Sequence, residues 1–188
     1  MEKYSDEQLI GEYLNGDEKA LEFLIARYLK PVYGFVHGYA GNVQEAEDIT
    51  QEVFLKAWRN LKKFDPRKNF KTWVFSIAKN TAIDFLRKKK TVPFSAFDNE
   101  EGGNDILDTL VDPAPLVSEL VERREDAGSL ADALSKISPK YRNVISLYHD
   151  EQLNFREIAQ MMGESLNTVK SRHRRALIVL KKILLKQQ

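Results

Sequence analysis

Aromatic and basic side chains are mixed in the stretch from Phe64 to Lys90, which ends in four consecutive basic residues. The aromatic residues among these cations are Phe64, Phe70, Trp73 and Phe75. Aromatic faces stack on unpaired bases and cations hold phosphates, so the mixture is typical of a groove for single-stranded nucleic acid. The alternative is a helix with an aromatic core face and a solvated basic face, because the apolar residues recur at helical spacing.

A second basic stretch lies near the C-terminal end. The short segment 155–162 reads as a helix that ends at Gly163, and Ser165 can begin a longer basic helix after it. Helix-turn-helix units place their second helix in the major groove, where arginine reads guanine through two hydrogen bonds. The alternative is a helical hairpin with a solvated basic face. The short helix, the glycine turn and the basic second helix together favour DNA binding.

The charge alternates in large blocks along the 188 residues, although the net charge is only +1. Residues 1–55 have a net charge of −7, residues 56–90 of +10, residues 91–132 of −9 and residues 133–188 of +7. Two basic blocks separated by an acidic one indicate two nucleic-acid footprints rather than one uniform surface.

Composition excludes several classes of protein. The chain has no cysteine, so it has no disulfide framework, thiolate zinc site or cysteine nucleophile. It has no apolar run long enough to span a membrane, and its polar N-terminus argues against a secretory signal, so we expect a cytoplasmic protein without membrane contact. No phosphate-binding loop or nucleophile motif is present, and His37, His149 and His173 are scattered in sequence. We therefore predict no enzyme activity, no metal site and no cofactor.

Helix signals dominate, and strand signals are almost absent, which predicts an all-α protein. Ser5 begins a first helix as half of a capping box, and Asp17 begins a second. Pro31 should kink or break that second helix. Asn42 begins a third helix, and another is expected from Phe70 to about residue 89, within the aromatic-basic stretch.

The third helix has two distinct faces. Its predicted core stripe consists of Ala46, Ile49, Val53, Ala57 and Leu61. An acidic, polar ridge beside the stripe consists of Glu45, Asp48, Gln51 and Glu52. Acids near a helix start suit the helix dipole. The ridge continues past the first turn, however, so a surface for a basic or polar partner is the second interpretation.

The composition changes between residues 91 and 114, where proline, glycine and acids replace aliphatic residues. Such a segment is predicted to be a flexible acidic linker. It separates two predicted small helical domains, residues 1–90 and residues 115–188. In the second domain, a helix is expected from Pro115 to about Ile137, and Ser138 should begin the next.

With both basic stretches in view, the chain resembles the bacterial sigma factors of the sigma-70 family, in the extracytoplasmic-function (ECF) group. The segment EAEDITQEVFLKAW resembles the family's polymerase-binding helix, and FKTWVFSIAKNTAIDFLRKK resembles the helix that opens and reads the promoter −10 element. The segment from Leu134 to Leu177 resembles the −35-binding domain. The implied fold is a region 2 helical bundle followed by a region 4 helix-turn-helix domain.

The resemblance implies a protein that binds core RNA polymerase, directs it to promoters and helps open the DNA, with no catalysis of its own. The residues at the polymerase-binding positions are Asp48, Gln51 and Glu52. Those implied at the single-stranded −10 element are Arg67, Lys68, Asn69, Lys71, Lys79 and Asn80. Those implied at the duplex −35 element are Thr168, Lys170, Ser171, Arg174 and Arg175.

A second class of protein remains open from sequence alone. A stand-alone helix-turn-helix regulator would use its N-terminal half to sense a signal or to dimerise, but it leaves the composition of the aromatic-basic stretch unexplained. The family's pattern is also broken at Ser165, Asn167, His173 and Leu177, which leaves the −35 sequence open. The residues do not identify the promoters, the inducing signal or an anti-sigma partner.

Overall fold

A computed structural model describes residues 4–40, 42–89 and 127–186. The chain divides into two compact units, Met1–Val92 and Pro93–Gln188. Within the described residues, every regular element is helical, which confirms the all-α prediction. The predicted linker and the predicted helix start at Pro115 lie outside the described residues.

The described residues of the N-terminal unit form four α-helices and a short 3₁₀ turn. They are α1 (Asp6–Leu14), α2 (Glu18–His37), α3 (Val43–Asn60), the 3₁₀ turn Leu61–Lys63 and α4 (Phe70–Lys89). The predicted caps are confirmed: Ser5 forms a capping box with Gln8, Asp17 accepts from the Lys19 amide, and Asn42 accepts from the Glu45 amide. These bonds satisfy amides that would otherwise lack a partner at each helix start.

Helix α2 continues through Pro31, so the predicted break at this residue is not found. Proline removes one intrahelical hydrogen bond. The flanking side chains of Tyr28, Val32 and Phe35 are at most 3% exposed, and this packing holds the helix together on both sides of the proline.

The N-terminal core contains three of the four aromatic residues expected to stack on bases. Phe64, Phe70 and Phe75 are at most 8% exposed, and the Phe75 ring meets Phe35 edge-on with centroids 5.3 Å apart. The groove interpretation is therefore wrong for these three rings, and the aromatic core face is the correct alternative. The predicted stripe on α3 is confirmed, since all five of its residues are buried.

The C-terminal unit contains α5 (Ala127–Lys136), α6 (Pro139–His149), α7 (Phe155–Met162) and α8 (Leu166–Leu185). The inner face of α8 packs on the two helices that precede the helix-turn-helix. The buried side chains of that cluster are Ala133, Ile137, Ile145, Ala176, Leu177 and Leu180. The inner face of α8 is thus buried against these helices, and its opposite face is left for solvent.

Arg142 connects the end of α5 to α6. Its guanidinium donates to the main-chain oxygens of Leu134 (2.8 Å), Ser135 (2.8 Å) and Ile137 (3.2 Å). Burial lowers the pKa of Arg142 from its ordinary value. Ser138 does precede α6 as predicted, but its hydroxyl makes no capping bond. The junction therefore depends on an arginine in α6 that the local sequence signal did not reveal.

Candidate functional sites

The acidic ridge on α3 is accessible. Asp48, Gln51 and Glu52 are exposed on the side of the helix opposite the buried stripe. Glu52 forms a 3.5 Å ion pair with Lys56, and Asp48 accepts a 3.3 Å hydrogen bond from Gln44. Ion pairs this exposed contribute little to stability, so a partner protein can displace them at small cost.

A groove between α2 and α3 adjoins the ridge. Its lining residues are Ala26, Leu29, Lys30, Tyr33, Glu47, Thr50 and Gln51. Leu29 directly follows the buried Tyr28 on α2. Consecutive residues on a helix point about 100° apart, and Leu29 is in fact 49% exposed. Leu29 therefore adds an apolar element, missed from sequence, beside Gln51.

The loop between the 3₁₀ turn and α4 carries three predicted −10 contacts, all exposed: Arg67, Lys68 and Asn69. Asp65 holds Arg67 by two bonds, from Nε to Oδ1 and from Nη2 to Oδ2, each 3.0 Å long. These bonds hold the pKa of the Asp65 carboxyl below its usual value and raise the pKa of Arg67. The Asn69 side chain accepts from the Thr72 amide at 3.0 Å and so begins α4.

The other predicted −10 residues lie along α4. Asn80 is exposed, but Lys71 and Lys79 are half-buried rather than fully exposed, because they lie at the edges of the packed face. Asn80 lies eleven positions after Asn69, which is about 16 Å along a helix. This distance is several times the rise of about 3.4 Å between stacked bases. The loop and Asn80 can therefore contact one strand but not one base.

Further cations flank this surface and were not among the predicted site residues. Lys62 and Lys63 are exposed on the 3₁₀ turn just before the loop. Arg87 and Lys88 are exposed at the far end of α4, where Arg87 pairs with Asp84 at 3.1 Å. The net charge of the basic block 56–90 could have indicated these cations from sequence, because it counts them together with those of the loop.

The helix-turn-helix is built from local capping interactions. Asn154 and Glu157 form a capping box that begins α7. Gly163 ends that helix with φ of 66°, a left-handed conformation that glycine adopts without strain. Ser165 then accepts from the Thr168 amide at 3.0 Å and begins α8. The turn thus fixes where the basic helix starts.

The predicted −35 residues occupy the outer face of α8. Thr168, Lys170, Ser171 and Arg175 are exposed, and Arg174 is half-buried. Arg172, which sequence could not separate from its basic neighbours, instead pairs with Glu164 of the turn at 2.8 Å. That pair is partly buried and ties the helix to the turn before it.

His149 and His173 meet where α6 packs against α8. Their Nε2 atoms are 3.2 Å apart, and His173 is only 8% exposed. Tyr148 and Phe155 stack beside them with centroids 4.4 Å apart. Burial lowers the pKa of His149. His173 is therefore a packing residue, whose neighbours the sequence did not reveal.

The described residues contain no cluster of three or more side chains suited to a metal ion. In the same part of the chain, no helix is both long and apolar enough to cross a membrane.

One unit carries a helix-turn-helix with a basic second helix, and the other carries a basic loop and a separate acidic ridge. Together these features are typical of a DNA-binding protein that also has a surface for a macromolecular partner. Residues 24–92 match sigma-70 region 2, and residues 133–182 match sigma-70 region 4. The ECF RNA polymerase sigma factor SigW of Bacillus subtilis (strain 168) is 34% identical over 176 residues, which are 92% of this chain and 93% of SigW. The chain belongs to the sigma-70 family, in its ECF group.

Other relatives agree with this assignment. The ECF RNA polymerase sigma-E factor of Haemophilus influenzae (strain ATCC 51907 / DSM 11121 / KW20 / Rd) is 29% identical over 181 residues, with 93% of each chain covered. The solved structure of RpoE from Bartonella quintana, in complex with the anti-sigma factor NepR, has the same fold, with a TM-score of 0.63 at 24% identity and coverage of 90% of this chain and 99% of RpoE. The region 2 match includes the aromatic-basic stretch that a stand-alone regulator left unexplained, so that alternative is rejected.

Proposed function

We propose that this ECF sigma factor binds core RNA polymerase and the −10 element through residues 1–90, and the −35 element through residues 115–188, with the acidic segment between them as a tether. In this proposal it contributes binding energy and no chemistry of its own, and it works in the cytoplasm, where polymerase is found. The observation that carries the proposal is the separation of surfaces: an acidic ridge and a basic strand-binding face on one unit, and a basic recognition helix on the other.

The polymerase surface is proposed to combine the ridge with the adjoining groove. Asp48 and Glu52 supply exposed carboxylates, and Leu29 supplies an apolar contact on the neighbouring helix. Interfaces depend on a few apolar anchors surrounded by polar contacts. A polymerase element with basic side chains around an apolar strip would be complementary to this surface.

The −10 surface is proposed to follow one strand from the loop to Asn80. Cations attract duplex and single strand alike, so the lysines alone do not explain opening. Groups that engage a base only after it leaves the stack would shift the equilibrium towards the open state. The exposed amide of Asn80 and the loop 65–69 are the candidates, because the aromatic rings that could have stacked are largely in the core.

The −35 surface is proposed to use the outer face of α8. Arg175 can reach base edges or phosphate, and the hydroxyls of Thr168 and Ser171 lie in the first turns of the same helix. The start of a recognition helix is where base contacts are concentrated in helix-turn-helix proteins.

An anti-sigma factor is a further proposed partner. It is suggested by RpoE, a protein of the same fold that was solved with the anti-sigma factor NepR. Co-purification from cells and identification of the bound chain would test this point separately from promoter recognition.

Asn80→Ala tests the −10 proposal. Holoenzyme with this variant should bind closed promoters nearly normally but should open them less, which would appear as reduced permanganate reactivity of unpaired thymines near −10. A pre-melted promoter should restore only part of the activity. The matched control is Asn60→Ala, because Asn60 is an exposed amide that donates to the Lys56 carbonyl of its own helix. Equal opening by both variants and the unaltered protein would contradict the role of Asn80.

A further inference from the structure

Asp65 is one of only two acids in the basic stretch 56–90. Its carboxylate accepts three hydrogen bonds from one residue: from the Arg67 amide at 3.1 Å and from the Arg67 guanidinium by the two 3.0 Å bonds described above. The Asp65 carbonyl also accepts from the Lys68 amide at 2.9 Å, which closes a turn with Pro66 at its second position. The loop is therefore preset by Asp65, with Arg67 held in a fork.

The Asp65–Arg67 pair lies in the exposed loop that is proposed to contact the −10 strand, so Arg67 can reach DNA while it is paired. The Arg67 side chain is 89% exposed, so the carboxylate holds it without burying it. An arginine has five N–H donors, and a forked carboxylate engages one edge of the guanidinium. The other edge stays available, while the neighbouring negative charge compensates the cation. Such an arginine is weakened as a phosphate ligand but is still oriented as a hydrogen-bond donor.

We propose that Asp65 is a specificity-determining residue of the −10 contact that acts through Arg67. The pair withholds Arg67 from phosphates, which lowers the affinity of the loop for strands of any sequence. It directs the remaining donors of Arg67 towards an unstacked base. This inference rests on the proposed function of the loop, and it gives an acid a role in a surface that is mainly basic.

Asp65→Asn separates charge from loop geometry, because an asparagine oxygen can still accept from the Arg67 amide. The assay uses holoenzyme with core polymerase and two fork-junction DNAs, one with the single-stranded −10 sequence of a promoter selected by transcription and one with that sequence scrambled. Each phosphate contact to a single strand contributes about 0.7 to the slope of log affinity against log salt. Releasing Arg67 to a phosphate should steepen this slope by about 0.7 and should raise affinity for the scrambled strand more than for the matched one.

Two comparisons isolate the pair. In the Arg67→Ala background, Asp65→Asn should no longer steepen the slope or reduce the preference for the matched strand. Asp84→Asn removes an equal charge from the same basic stretch, where Asp84 makes a single 3.1 Å contact with Arg87. It leaves the Asp65 fork intact, so the preference for the matched strand should be unchanged.

An effect of Asp65→Asn that is equally large without Arg67 would overturn the inference, because the carboxylate would then act by direct repulsion of DNA. An unchanged preference for the matched strand would overturn it as well. A failure of the unaltered holoenzyme to distinguish the two DNAs would be a different result: it would contradict the proposed −10 function of the loop, and the inference would fail with it.

Discussion

Arg172 and Arg175 lie one turn apart on α8, yet the structure predicts opposite consequences of replacing them. Arg175 is exposed on the outer face, whereas Arg172 contacts Glu164 at 2.8 Å and has a side chain only 18% exposed. If Arg175 reads a guanine, Arg175→Ala should cost about 1–3 kcal/mol of promoter binding and relax preference at one −35 position. Its effect on unfolding should stay within about 0.5 kcal/mol, as for most surface substitutions.

Arg172→Ala should instead destabilise the C-terminal unit. Hydrogen bonds to charged groups contribute about 1.5–3 kcal/mol, and the partial exposure of this pair favours the lower end of that range. In a domain of this size, 1 kcal/mol shifts the midpoint of thermal unfolding by about 4–8 °C. At 25 °C most of the variant should remain folded, so its −35 preference should be unchanged.

Calorimetry of the full chain and promoter binding by holoenzyme measure the two effects separately. Lys181→Ala serves as a control, because Lys181 is exposed on the same helix beyond the turns that carry the proposed contacts. The reasoning would be refuted by the reverse pattern, in which Arg175→Ala lowers the unfolding temperature and Arg172→Ala changes −35 preference in a stably folded protein. An equal loss on every sequence for Arg175→Ala would make it a phosphate contact.

Three further predictions follow from the same structure. Reversing charge with Asp48→Lys and Glu52→Lys should weaken binding to core polymerase, measured by fluorescence anisotropy, while circular dichroism stays unchanged. Burial lowers the pKa of His149, so the unfolded state binds more protons than the folded state. The free energy of unfolding should therefore fall as the pH drops from about 6.5 towards the lower pKa of the folded state. His149→Gln should flatten this dependence on pH in calorimetry. Ser165→Ala should cost about 1 kcal/mol of C-terminal stability by removing the α8 cap, whereas Ser5→Ala should affect only the N-terminal transition.

Features set by neighbouring residues could be predicted from sequence. The caps at Ser5, Asp17 and Asn42 depend on a side chain reaching an amide two or three residues away, which spacing alone specifies. The turn at Gly163 depends on one backbone conformation. For the same reason the acidic ridge could be distinguished from the buried stripe, because helical periodicity places the two on different faces of α3.

Features that depend on distant parts of the chain could not be predicted. Whether Phe75 stacks on a base or packs in the core is decided by Phe35, forty residues away, whose ring it meets. The contact between His149 and His173 requires two helices to pack, and so does the assignment of Arg172 to Glu164 rather than to DNA. Charge and spacing gave no means of ranking the arginines of α8, because only the fold shows that Arg172 already pairs with Glu164.

Transcription in vitro with purified core polymerase and a randomised promoter library tests the central claim most directly. The account predicts that adding this chain makes core polymerase start at a distinct set of promoters that share a −35 and a −10 element, with permanganate-reactive thymines near −10. It also predicts that the chain alone does not open those promoters. Tight duplex binding by the chain alone, with no change in where core polymerase starts, would contradict the account and favour a stand-alone regulator.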